Sequence, residues 1–251
     1  MRDQLKAGLQ QREAQGLYRR RPITQSAQGV HPVIDGRRVL SFCSNDYLGL
    51  ARDPRLAGDM ARAAREWGAG AGAAHLVSGH TAAHHALEEA LAAFTGRERA
   101  LLFSTGYMAN IGICQALLGK NDYVFEDRLN HASIIDGCRL SRAKIIVYEH
   151  CDAQDAEAKI QEHLPNYRRG LLVTDGVFSM DGDVAPLDQL YEVAEKYGVM
   201  TMVDDAHGEG VLGGGKGIVH HFGLQGQFDV EIGTLSKAFG VMGGVIAGKR
   251  V

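Results

Sequence analysis

Apolar and polar positions alternate with two periods along this chain, and from Arg99 onward the two take turns regularly. Short apolar runs, β-branched for the most part, lie at Ala100–Phe103, Tyr123–Phe125, Ile145–Tyr148, Leu171–Thr174, Met200–Val203, Val230–Ile232 and Val245–Ala247. Runs of that length, bounded by turn residues, predict strands. Between some of them Gly106–Leu118, Ser133–Ser141, 152–164 and 186–197 carry helical patterns. Strands that alternate with helices predict an α/β fold: a mostly parallel central sheet with helices on both faces. Ligands in such sheets bind outside the carboxyl ends of the strands. Upstream, 3–17 reads as an amphipathic helix with Leu5, Leu9 and Leu17 among charges, and Val30 to Ser41 as a hairpin turned at Asp35-Gly36. Pro54–Trp67 and 82–95 read as helices, the second N-capped by Thr81. The expected division is an N-terminal helix and hairpin segment, 1–45, followed by a large domain, 46–251.

Composition narrows the function classes. The chain has 251 residues, a net charge of −3 and 45% hydrophobic residues, enough for one large domain with a full core. That charge gives no electrostatic argument for nucleic acid or an anionic membrane. No apolar run is long enough to predict a membrane span. Residues 1–21 lack the apolar stretch of a secretory signal, so a cytoplasmic location is expected. Cys43, Cys114, Cys138 and Cys151 are far apart and form no CxxC pair. They predict reduced thiols in or near the core, with no disulfide frame or zinc site.

Candidate chemistry concentrates in the turns. In GTLSKAFGVMGG, 233–244, a single lysine, Lys237, sits among small and apolar residues. Burial lowers an ammonium pKa, so Lys237 is a candidate amine nucleophile; a surface lysine in a glycine-rich loop is the plain alternative. Thr234 and Ser236 offer hydroxyls to a phosphate, and small residues let a flat ring approach the backbone. Ser104-Thr105-Gly106-Tyr107 opens a helix that could present N–H groups to an anion. Asp204-Asp205-Ala206-His207 follows a predicted strand. Its carboxylates suit a metal, an acid/base pair or the counter-ion of a cationic ring. Strand alternation puts Asp204 and His207 on one side and turns Asp205 away. Segment 174–183 exposes Ser179, Asp181 and Asp183 but lacks the glutamate of a calcium loop, so no metal is expected. His84 and His85 are adjacent on a helix and read as surface residues. Arg19, Arg20 and Arg21 form a solvated face or a mouth for an anionic substrate.

SNDYLGLA, GHTAAHHALEEALA, FSTGYMAN, DRLNHASIIDG, TDGVFSMDGD, VDDAHGEGVLG and TLSKAFG occur in this order. Together they resemble the pyridoxal-phosphate α-oxoamine synthases of fold type I, from about residue 17 to the end. The resemblance implies the large domain of a PLP-dependent transferase. Lys237 would hold pyridoxal 5'-phosphate as a Schiff base and move the substrate Cα proton. Asp204 would pair with the pyridine N–H, and His207 with the ring hydroxyl oxygen. His131 would stack on the ring and touch substrate. Ser179 and Thr234 would contact the cofactor, and the backbone of Gly106 and Tyr107 would hold the phosphate. Asn45 would lie beside the lysine, and Arg19 of the arginine cluster would meet the acyl substrate.

HLVSGH, His75 to His80, is similar to the branch that condenses L-alanine with a pimeloyl thioester, on CoA or a carrier protein, with loss of CO2. A glycine-using ligase and a non-catalytic PLP-binding fragment are the alternatives. The resemblance also implies a homodimer. Family members continue past the position of Val251 into a C-terminal domain, whose arginine binds the amino-acid carboxylate. The 251-residue chain alone is therefore expected to have little synthase activity.

Overall fold

The computed structural model describes residues 1–163 and 168–250. The chain divides into two units, Met1–Ser44 and Asn45–Val251. The first unit holds helix α1 (Arg2–Ala14) and a short antiparallel pair, β1 (Val33–Ile34) and β2 (Arg37–Arg38). Asp35 takes a left-handed φ of 47° in the turn, a conformation aspartate tolerates. Sequence periodicity extends α1 to Leu17, but the chain turns at Gly16, whose φ is 69°. All of α1 is exposed, so its leucines meet no core in this unit.

The second unit is built on seven strands: β3 (Arg99–Phe103), β4 (Tyr123–Asp127), β5 (Lys144–Tyr148), β6 (Gly170–Asp175), β7 (Met200–Asp204), β8 (Val230–Thr234) and β9 (Gly244–Gly248). Their order across the sheet is β3-β9-β8-β7-β6-β4-β5. The neighbours from β8 to β5 pair in parallel, and β9 runs antiparallel to both β3 and β8. Helices α2 (Pro54–Trp67) and α3 (Ala82–Thr95) precede β3, and α4 (Gly106–Leu117), α5 (Ala132–Ser141), α6 (Ala153–His163), α7 (Leu187–Tyr197) and α8 (Ile218–His221) lie between successive strands from β3 to β8. The predicted last residue of the 152–164 helix lies outside the described residues. No described helix is long and apolar enough to cross a membrane.

The period of two along each strand sorts side chains into two layers. Val124, Leu171, Val173 and Met202 pack with Ala109 and Cys114 of α4 and Ile134 and Cys138 of α5. Their strand neighbours Phe125, Leu172 and Val203 pack on the other face, with Ile160 of α6, Leu187 and Leu190 of α7, and Ile218 of α8. Each fully buried aliphatic side chain contributes about 1.5–3 kcal/mol relative to exposure. Leu91 and Ala92 of α3 cover β3 and β9 through Ala100, Val245 and Ala247. Among the cysteines, Cys114 and Cys138 are buried and Cys151 is half-buried, but Cys43 is exposed, against the core reading. All four are free thiols.

Strand order decides where a ligand fits. From β4 the chain steps outward to β5, then returns across β4 to β6 and proceeds the other way through β7 and β8. The order reverses between β4 and β6, and a crevice opens at their carboxyl ends.

Candidate active site

A pocket at that crevice is lined by residues from the ends of β4, β6, β7 and β8 and from the start of α4. Of the residues singled out in the sequence, Gly106, Tyr107, His131, Ser179, Asp204, His207, Thr234 and Lys237 all face it. Asn45 is exposed and reaches the site through Tyr47. Arg19 lies in the N-terminal unit and is exposed.

At one end of the pocket stands a buried acid. Asp204 is the last residue of β7 and is 6% exposed. Asn110 Nδ2 donates to its Oδ2 at 2.6 Å, and the Ala206 N–H donates to its Oδ1 at 3.0 Å. A carboxylate that accepts such bonds is held in one orientation. Asp205, next in the chain, turns away and accepts the Ile218 N–H at 2.6 Å. Asn110 also donates to Ser133 Oγ at 3.0 Å, which lies 2.7 Å from His131 Nδ1. The His131 N–H donates to Asp175 Oδ2 at 2.6 Å. The Ser133 N–H also donates to His131 Nδ1 at 3.2 Å. Burial, with the charge of Asp204 added, pushes the Asp175 carboxyl well above the usual range.

Lys237 follows β8 in a tight turn. Its Nζ lies 2.8 Å from His207 Nε2. Burial lowers the ammonium pKa, partly opposed by Asp204 and Asp175. Burial, then the lysine charge, pulls the His207 imidazole down to about 4. His207 is therefore neutral at ordinary pH. Its Nε2 accepts from the lysine, and its Nδ1–H donates to the Tyr47 hydroxyl at 2.5 Å. Tyr47 in turn donates to Asn45 Oδ1 at 3.3 Å.

The remaining wall suits an anion. Thr105 caps α4 by accepting the Met108 N–H at 3.1 Å. The first-turn N–H groups of Gly106 and Tyr107 start a helix whose dipole favours negative charge. Thr234 and Ser236, with hydroxyls 2.7 Å apart, stand beside them. Gly244 of β9 permits this close approach: a Cβ there would fall 2.5 Å from the Gly106 nitrogen.

Sequence reasoning missed four lining or supporting residues. Asn110 had a signal, a polar side chain inside an apolar helical stretch. Ser133 and Asp175 lie inside the motifs DRLNHASIIDG and TDGVFSMDGD but were given no role there. Tyr47 lies inside SNDYLGLA, but its role went unread because its partner His207 is distant in sequence. Two further readings are corrected. His84 is half-buried and its Nδ1 lies 2.8 Å from the Thr81 hydroxyl, so it completes the helix cap instead of facing solvent. Asp183 is half-buried against His150 rather than exposed.

The fold and pocket together define a class: an α/β protein with its site at the strand reversal, pairing a desolvated amine with a buried acid and an anion cradle. The sequence profile of the aminotransferase class I and II family matches residues 37–251, and the chain belongs to that family. It is 56% identical over 252 residues to the 8-amino-7-oxononanoate synthase of Thioalkalivibrio sulfidiphilus, covering 100% of this chain and 64% of that protein. It is 55% identical over 248 residues to the enzyme of that name from Cellvibrio japonicus, covering 98% of this chain and 62% of the relative. It thus spans 64% and 62% of these relatives' lengths. Among solved structures, serine palmitoyltransferase of S. paucimobilis with a bound PLP–myriocin aldimine superposes with a TM-score of 0.91 at 35% identity. That match covers 99% of this chain and 65% of the other. The 8-amino-7-oxononanoate synthase of Francisella tularensis superposes at 0.68 and 31% identity, over 82% of this chain and 57% of the other.

Proposed function

We propose that this chain is the cofactor-binding part of an 8-amino-7-oxononanoate synthase, joining L-alanine to a pimeloyl thioester with loss of CO2. The observation that carries the reading is Lys237 and Asp204 lining one pocket together with the first turn of α4 and the hydroxyls of Thr234 and Ser236. The names of the relatives support the choice of reaction. The donor set fits pyridoxal 5'-phosphate: an amine for its aldehyde, a buried acid for its ring nitrogen, and N–H and O–H donors for its phosphate.

Bound there, pyridoxal phosphate supplies an electron sink for charge developing at the amino-acid Cα. The chain's own groups do the rest. Asp204, fixed by Asn110 and Ala206, holds a proton at the ring nitrogen. Gly106, Tyr107, Thr234 and Ser236 bind the phosphate, and Ser179 and His131 border the ring. Lys237, with its lowered pKa, takes the Cα proton of alanine. Neutral His207 accepts from the lysine and orients it, steadied by Tyr47 and Asn45. The acyl carbon then gains the new C–C bond, its thiolate leaves, and the alanine carboxylate departs as CO2. The synthase acts as a homodimer in this reading; Leu76, Val77 and Met242 are large apolar side chains left exposed on the second unit.

Borohydride reduction of the chain mixed with pyridoxal phosphate should leave a pyridoxyl label on Lys237, read by peptide mass spectrometry. Lys237→Ala should take up none. A label on another lysine, or an unchanged yield in the variant, would overturn the reading.

A further inference from the structure

Behind the pocket wall, one imidazole is gripped by two carboxylates from different elements. His150 lies in the turn after β5. Its Nδ1 is 2.9 Å from Asp127 Oδ1, at the end of β4, and its Nε2 contacts Asp183 Oδ2. Asp127 is fixed: its side chain is 1% exposed and accepts the N–H groups of Leu129 and Cys151, each at 2.8 Å. Asp183 belongs to the hairpin 176–184. There Val177 bridges Val184, the Phe178 N–H donates to Asp183 O at 2.9 Å, and the Gly182 N–H donates to Phe178 O at 2.9 Å. The Phe178 ring stands edge-on to His150, with centroids 4.4 Å apart. Ser179, the next residue, lines the pocket. One small hairpin is thus held at Asp183 and presents Ser179 to the site.

We infer that His150 is a positioning residue that pins hairpin 176–184 to the sheet and thereby sets Ser179 in the pocket wall. The inference rests on the reading of that pocket as the cofactor site. Holding both carboxylates takes both ring N–H groups, hence the imidazolium; the neutral ring keeps one N–H and releases one partner. The titratable groups facing the ring are Asp127 from β4, Asp183 from the hairpin and Cys151 beside it, whose Sγ is 3.6 Å from Nε2. Burial pushes the thiol up to about 11, so it stays neutral. Burial alone would lower the imidazole, but Asp127 and Asp183 outweigh it and the net direction is upward. The pin is therefore complete below the ordinary histidine value of about 6.5 and is lost as pH rises through the elevated folded value.

Amide hydrogen exchange of segment 176–184, corrected for intrinsic rates, reads the pin without any ligand. Protection should fall with rising pH in the wild type and be low and pH-independent in His150→Gln. Asp183→Asn changes a partly exposed side chain and serves if the first variant does not fold. Equilibrium titration with pyridoxal phosphate reads the consequence. At pH 6 both variants should bind about fivefold more weakly, as expected for one lost hydrogen bond, and the gap should close at high pH. A pH-independent wild-type hairpin, or variants that match wild-type affinity at pH 6, would overturn the inference. Absence of pyridoxal phosphate binding by the wild type would instead overturn the reading of the pocket, leaving the exchange result to decide on the pin.

Discussion

Asn110 shows how much one side chain inside a helix can govern. Its single amide group joins Ser133 and Asp204, so it couples the His131 arm of the pocket to the acid at the other end. Asn110→Ala removes two buried bonds, one of them to a carboxylate, and should cost about 1.5–3 kcal/mol. It should also weaken pyridoxal phosphate binding, because Asp204 loses its orientation. Thermal unfolding and a cofactor titration measure the two effects. Residues of this kind mark where sequence reading stops. Lys237, Asp204 and His207 stand out because strand ends and glycine-rich turns draw the eye to them. Tyr47 and Ser133 do not, because what matters about them is a partner that only folding supplies.

At the scale of elements, the site depends on how closely β9 approaches the start of α4. Gly244 makes that approach possible, and Gly240, with φ 69°, does the same for the Lys237 turn against Ala51. Gly244→Ala should push α4 outward at Gly106 and destabilise the chain by about 1–3 kcal/mol. Affinity for inorganic phosphate should drop with it, and isothermal titration would show whether it does. Most elements were legible in the sequence. Short apolar runs located all seven strands of the large sheet, and the helical patterns between them fell within a residue or two of the observed bounds. The N-terminal helix was overextended, because Leu17 continues the apolar spacing past a glycine that ends it. The antiparallel direction of β9 was not legible, since direction leaves no mark on an apolar run of five residues.

For the molecule as a whole, β8 and the turn after β7 gather acids in low dielectric. Glu209 is pushed up to about 8 by burial, then by Glu231 and Asp204, and burial pushes Glu231 up to about 7. Glu231 keeps a buried partner, Arg97, at 3.2 Å. A carboxyl raised in the folded state stabilises fully below its unfolded value and loses that contribution as pH rises through the folded one. Stability should therefore fall between about pH 4.5 and pH 8, with Glu209 contributing up to about 1.4 kcal/mol per pH unit. Glu209→Gln should flatten that slope and melt higher than wild type at pH 8; urea unfolding at several pH values checks both. One more property follows from the position of β3 at the sheet edge, where β9 is its only strand neighbour among the described residues. A ribosome must deliver residue 248 before residue 99 finds its place. Until then the nascent β3 and the α3 face above it wait uncovered, a natural target for chaperones.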